Sequence, residues 1–238
     1  MEVWVEGVTD AFTEGSPGGR GAVEIPRGGA VIPLVRKVLA QAKGMTPALL
    51  DEVLPEGEIA AHRLQHRVRD ITRLGDGPRK RKLSKDGWKV LAAIDRARFH
   101  EPDTLIVAVW DRDGKDLPTR DRDEILDALR ERGATGVAVG VCIEEIEAWL
   151  LADPGAFRRY LGKGPAKGLS GSPENESDPK ARLNKILEEY PDREHLNLIY
   201  RGLADAVDLE VLARACPQGF GAFRAALLEL VGPRLQSG

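Results

Sequence analysis

Acidic residues stand where three short hydrophobic runs give way to turns. Glu6 closes Val3-Trp4-Val5, Asp111 and Asp113 follow Thr104-Leu105-Ile106-Val107-Ala108-Val109-Trp110, and Glu144, Glu145 and Glu147 follow Gly136–Ile143. If the three runs are parallel strands, their carboxyl ends lie on one edge of a sheet, which is where ligands bind in open α/β proteins. Carboxylates gathered there repel one another and raise each other's pKa unless a cation neutralises them. Hard divalent ions meet that need: Mg²⁺ takes a few carboxylates plus waters. A pair of such ions stabilises the attacking and leaving oxygens of a phosphodiester displacement.

Each motif alone has a plainer reading. Asp111-Arg112-Asp113-Gly114 is also ordinary turn chemistry, because Asp and Gly favour turns. A calcium loop needs a third acid before the glycine and a preceding helix, and here a strand precedes it. The convergence of three strand ends is what favours a metal site.

The elements that would position these acids follow from periodicity. Residues 2–6 alternate polar and apolar and end at Gly7, a strand running into a turn. Residues 14–30 are a Gly/Pro-rich loop. Pro33 opens a helix that Gly44 ends. Residues 51–55 read as a short strand, 58–74 as a helix with Ile59, Leu64, Val68 and Ile71 inward, and 85–99 as a helix capped by Ser84. The runs 104–110 and 136–143 are continuous and apolar, as expected of strands buried on both faces of a parallel sheet. A helix over 121–132 stops at Gly133, and 144–152 is helical up to Asp153-Pro154. After 143 no strand pattern appears: 162–178 is a polar loop, and helices are expected over 179–189, 209–215 (capped by Asp208) and 219–231. The expectation is an α/β domain over 1–155, a mainly parallel sheet flanked by helices, with a helical C-terminal appendage over 156–238.

Between Ala61 and Arg98 the chain carries twelve Lys/Arg against four Asp, although its net charge is −3. On a 58–74 helix, His62, His66, Arg69 and Arg73 share one face. Arg79, Lys80, Arg81, Lys82 and Lys85 follow in and after a loop. Cations in a row suit a phosphate backbone, and the contact expected for Arg69, Arg73 and Arg79–Lys85 is DNA or RNA. The plainer alternative is a solvated helix face. Trp88 and Phe99 read first as core residues of the 85–99 helix, and second as stacking partners for bases.

Three stretches together resemble the topoisomerase–primase (Toprim) family. Val5-Glu6-Gly7-Val8-Thr9-Asp10 resembles its opening motif, and Trp110-Asp111-Arg112-Asp113-Gly114 its Asp-x-Asp motif. Glu145-Ile146-Glu147-Ala148-Trp149-Leu150-Leu151-Ala152-Asp153, with Ser177-Asp178-Pro179-Lys180 and Leu183, is similar to small bacterial Toprim-like proteins often encoded beside an ABC-type ATPase. More distantly, the chain resembles overcoming-lysogenisation-defect nucleases. The resemblance implies a Toprim-like Rossmannoid fold and a Mg²⁺- or Mn²⁺-dependent nuclease, in antiviral defence or nucleic-acid processing. It implies catalysis by Glu6, Asp111, Asp113 and Glu147, with metal held by Glu6, Asp10, Asp111, Asp113, Glu145 and Glu147. A later lysine is also implied, and Lys163, Lys167 and Lys180 all qualify. No Gly-x-x-x-x-Gly-Lys-Ser/Thr run occurs, so the implied ATPase is a separate subunit. An aspartyl nucleophile of the haloacid-dehalogenase kind also fits Asp111, but that fold carries its Asp motif near the N-terminus.

With 42% hydrophobic and 31% charged residues the chain is an ordinary globular one. The longest apolar stretch, Leu105–Trp110, is far short of the ~18 residues a membrane span needs. No signal-peptide pattern opens the sequence, and Cys142 and Cys216 lack partners at zinc-ligand spacing, so a reducing cytoplasmic setting is expected. Two further functions remain open. One is a non-catalytic, nucleic-acid-binding or regulatory partner of an ATPase; the other is a small-molecule phosphohydrolase.

Overall fold

The computed structural model describes residues 2–5, 29–46, 49, 52, 60–63, 91, 94, 105–112, 118–131, 136–165, 169, 171–190 and 196–235. Its strands β1 (Glu2–Val5), β2 (Ala60–Arg63), β3 (Ile106–Arg112) and β4 (Val137–Ile143) form one parallel sheet in the order β2-β1-β3-β4. Val5 lies in register with Val109, and Asp111 with Cys142. From β1 the chain goes outward to β2 on one side, then crosses to β3 on the other. The order therefore reverses between β1 and β3, and a crevice opens at such a point beyond the carboxyl ends of the strands.

The continuous apolar runs are explained by the two faces of the sheet. Ile106, Ala108, Trp110, Val139 and Val141 pack on one side with Leu91, Ile94, Ile125, Ala128 and Leu129. Val107, Val109, Ala138 and Cys142 point to the other side and into a larger core. Strict alternation within an all-apolar run is what a doubly covered strand requires.

The first face is covered by α2 (Pro118–Glu131), which begins three residues before the expected start. The opposite core takes in α1 (Val31–Lys43), α3 (Ile146–Leu151), α4 (Pro154–Leu161), α5 (Pro179–Leu187), α6 (Leu196–Ala206), α7 (Leu209–Ala215) and α8 (Ala222–Leu235). α1 ends at Gly44, whose φ of 61° is the left-handed cap that glycine supplies without penalty. Gly140 is fully enclosed: a Cβ there would lie 2.9 Å from the Phe223 ring, so its absence lets α8 sit directly on β4.

Three expectations change. Residues 58–74 are not one helix, because Ala60–Arg63 is the edge strand β2, paired along its whole length with β1. His62 therefore shares no helical face with His66, Arg69 and Arg73, and 64–74 lie outside the described residues. The short apolar period there yields to pairing with an open sheet edge. Within the expected 51–55 strand, Glu52 is helical. Finally, residues beyond 155 do not stand apart from the sheet. Phe157, Tyr200, Leu203, Phe220, Phe223 and Leu227 belong to the same apolar cluster as Val107 and Val109. The C-terminal third is helical, as expected, but its helices cover one face of the sheet.

Two helices are additional to those expected, α4 and α6. Asp153-Pro154 ends α3, but it also starts α4: the Asp153 side chain accepts from Gly155 N at 2.8 Å and Pro154 takes the first helical position. In α6, Gly202 masks a helical pattern. A Cβ there would lie 2.1 Å from the Tyr160 ring, so this glycine serves close helix packing.

Candidate functional site

β3 carries Asp111 just past the buried Trp110, at the carboxyl end of the sheet beside the reversal point. Its Oδ1 accepts a hydrogen bond from Ile146 N at 2.9 Å. That bond stitches the end of β3 to the start of α3. The connection from β4 to α3 runs through Glu144 at φ 65°, left-handed backbone that costs an L residue about 1–2 kcal/mol. Such strain tends to sit at functional sites.

Glu145 and Glu147 leave from this turn. Glu145 is half-buried, and its Oε2 accepts from Lys180 N at 3.1 Å, at the start of α5. Burial pushes the Glu145 carboxyl above its ordinary range, and the nearby Glu147 charge adds to the effect. Glu147 is only 2% exposed, and its Oε1 accepts from the fully buried Tyr200 hydroxyl at 3.0 Å. Trp149, Leu150 and Leu151 are buried around the same short helix, as expected of residues that hold Glu147 in place. Trp149 meets the Phe220 ring edge-on at 5.2 Å and stacks on Phe223 at 6.0 Å, which fixes α3 against the C-terminal helices.

Three carboxylates are thus anchored in one way. Each gives one oxygen to a protein donor: Asp111 to Ile146 N, Glu145 to Lys180 N and Glu147 to Tyr200. Among the described residues no donor reaches Glu145 Oε1 or Glu147 Oε2. Ligating carboxylates are commonly held so, by hydrogen bonds on their outer side. Carboxylate oxygens suit Mg²⁺ or Mn²⁺ better than zinc, so the donor chemistry fits the implied cation. Among the described residues no three His, Cys, Asp or Glu side chains gather closely enough to hold a metal ion. Glu6, Asp10 and Asp113 lie outside the described residues, as do Arg69, Arg73, Arg79, Lys80, Arg81, Lys82, Lys85 and Lys167.

The two late motifs meet although they are separated in sequence. Asp178 caps α5 by accepting from Ala181 N at 2.8 Å, and the same first turn presents Lys180 N to Glu145. Of the candidate lysines, Lys180 is brought beside the acids. Lys163 is engaged elsewhere: its ammonium donates to Glu189 O at 2.8 Å and lies 4.9 Å from the Tyr190 ring centroid.

Other buried acids serve the scaffold. Asp153, 4% exposed, accepts from Gly155 N and from Asp208 N at 2.9 Å, and pairs with Arg159. Glu174 accepts from Gly219 N at 2.6 Å and Gln218 N at 3.2 Å, which holds the turn leading into α8. Tyr200 is the site residue that motif reasoning passed over. Its one signal is indirect: a tyrosine between Ile199 and Leu203 on an apolar helix face needs a buried partner for its hydroxyl.

No curated protein and no solved structure matches the chain. A family model described as a domain of unknown function, DUF4276, matches residues 29–228. That span takes in β2, β3, β4, helices α1 to α7, the first half of α8 and the three anchored carboxylates, and the chain belongs to the DUF4276 family.

Proposed function

We propose that this protein has a Toprim-like fold and is a Mg²⁺- or Mn²⁺-dependent phosphodiesterase that cleaves DNA or RNA. In this reading it works in the cytoplasm beside a separate ABC-type ATPase, in antiviral defence or nucleic-acid processing. The observation that carries it is the position of Asp111: it stands one residue before the end of β3 where the strand order reverses, and is tied to the helix bearing Glu147. Glu6 follows β1, the neighbouring strand at that reversal, directly in sequence.

In the proposed reaction Asp111, Asp113 and Glu147 would hold the ions, with Glu145 close by and Asp10 as a further ligand. Glu6 handles a proton or a metal contact near the scissile phosphate. The ions, when bound, supply Lewis-acid activation of water and neutralise charge on the phosphorus oxygens. Of the described candidate lysines, Lys180, whose backbone N meets Glu145, is better placed than Lys163 to meet a phosphate. The basic stretch from Arg69 to Lys85 would track the nucleic-acid backbone.

The test is cleavage of plasmid and of end-labelled single-stranded DNA and RNA in Mg²⁺ or Mn²⁺. Cleavage is expected in the wild type and lost in D111N and E147Q. D111N keeps an oxygen to accept from Ile146 N. Absence of cleavage with every metal, or cleavage unaltered in both variants, rejects the reading.

One observation favours a second reading, a non-catalytic partner of an ATPase. Glu147 is nearly inaccessible and is held by Tyr200, which also suits a carboxylate that only braces two helices. Stable co-purification with an ATPase, together with no cleavage by the complex, would select it.

A further inference from the structure

The C-terminal helices supply more than cover for the sheet. Tyr200 stands near the middle of α6, fully buried, fifty-three residues beyond Glu147 in the chain. Its hydroxyl is the one polar group it has, and it is spent on Glu147 Oε1 at 3.0 Å. A carboxylate this deeply buried needs hydrogen bonds, a cation or both. A phenol supplies one directed donor and no positive charge. Lysine or arginine in its place would neutralise Glu147 and weaken its attraction for a metal; tyrosine fixes one oxygen and leaves the negative charge in force.

The surroundings make that orientation rigid. α6 is locked at its carboxyl end, where Lys37 of α1 donates to Asp205 O at 2.8 Å and to Val207 O, and Arg159 of α4 donates to Ala206 O at 2.7 Å. Gly202, two residues from Tyr200, is packed tightly under Tyr160, whose hydroxyl donates to Leu198 O at 3.2 Å. The tyrosine therefore has little freedom to follow Glu147; Glu147 must follow the tyrosine.

We propose that Tyr200 is the positioning residue of the site: its hydroxyl holds Glu147 Oε1 so that Oε2 is presented to a divalent cation. The proposal rests on the metal-dependent reading above. It gives the helical C-terminal third a direct part in assembling the site.

The test uses the full chain and Mn²⁺ alone, read by loss of the free-ion electron paramagnetic resonance signal. Wild type, Y200F, E147Q and the double variant are compared. Removing an outer-shell partner of a metal ligand lowers affinity about 10- to 100-fold, and Y200F is expected to do so. E147Q should lose at least as much, and the double variant no more than E147Q, because the hydroxyl acts only through Glu147. Wild-type affinity in Y200F while E147Q is impaired overturns the proposal and leaves the metal reading standing. Additive losses in the double variant overturn it as well. A wild type that binds no Mn²⁺ at millimolar concentration overturns both. Should Y200F not fold, 3-fluorotyrosine at position 200 gives a second readout by ¹⁹F resonance. Mg²⁺ is expected to shift that signal in the wild type and not in E147Q; an unmoved wild-type signal refutes the proposal.

Discussion

Replacing Asp153 by alanine tests whether the Glu145–Asp153 run divides into a reacting half and a structural half. The side chain does three things. It caps α4 through Gly155 N at 2.8 Å, it satisfies Asp208 N at 2.9 Å, and it pairs with Arg159. Loss of a cap costs about 1 kcal/mol. A part-buried N–H left without an acceptor at Asp208 costs about 1–3 kcal/mol. The Arg159 side chain is 51% exposed, so its pairing adds at most about 1 kcal/mol. The expected loss is about 2–5 kcal/mol. For a chain of this size each kcal/mol moves the melting temperature by about 2–4 °C, giving a drop of about 4–20 °C. D153N keeps an acceptor for Gly155 but turns an amide NH₂ toward Asp208 N and Arg159, and should fall between D153A and wild type. Thermal melts followed by circular dichroism measure all three. If D153A melts within 2 °C of wild type, or loses Mn²⁺ binding while its melt is unchanged, the structural assignment of Asp153 is wrong.

G140A should destabilise the fold by about 1–3 kcal/mol in urea denaturation, because its methyl group must displace Phe223 or Val109 in a filled core; an unchanged midpoint would mean that α8 does not lie on β4. K37M should lower stability by about 1 kcal/mol by freeing the carbonyls of Asp205 and Val207, checked in the same assay. Burial pushes the Glu174 carboxyl above its ordinary value of 4.5, so the folded state prefers it neutral. Its contribution is complete below 4.5 and is lost as pH rises through the raised folded value. Melting temperature should therefore decline from pH 4.5 upward more steeply in wild type than in E174Q, and parallel profiles would refute it.

The strands at the centre of the sheet were legible because their burial is two-sided. Only a strand covered on both faces reads Ile106-Val107-Ala108-Val109-Trp110 without a polar break, and the turn that must follow names Asp111 as an edge residue. Caps were legible where chemistry is local: Gly44 and Asp208 end or start helices through bonds within a few residues. Strand β2 was not, because Ala60–Arg63 has no strand pattern of its own and is extended by pairing with β1. α6 was hidden by Gly202, whose reason lies in Tyr160, forty-two residues earlier in the chain. The same limit applied to the site. Asp111, Glu145 and Glu147 follow from strand ends, whereas the donors that orient them, Ile146 N, Lys180 N and Tyr200, are known only once helices from distant sequence are packed together.

That the helical third covers the sheet also changes how truncation should be read. Cutting after residue 155 would expose Val107, Val109, Ala138 and Cys142 and remove both Lys180 and Tyr200. An inactive truncation would therefore report an unfolded protein as readily as a missing docking surface.

The proposed metal site is tested most directly by anomalous diffraction at the manganese edge from crystals soaked in Mn²⁺. An ion is expected at the carboxyl ends of β1 and β3, within about 2.0–2.3 Å of oxygens from Asp111 or Glu147. Manganese bound only to other carboxylates, or a clean map at this edge of the sheet at millimolar Mn²⁺, would contradict it.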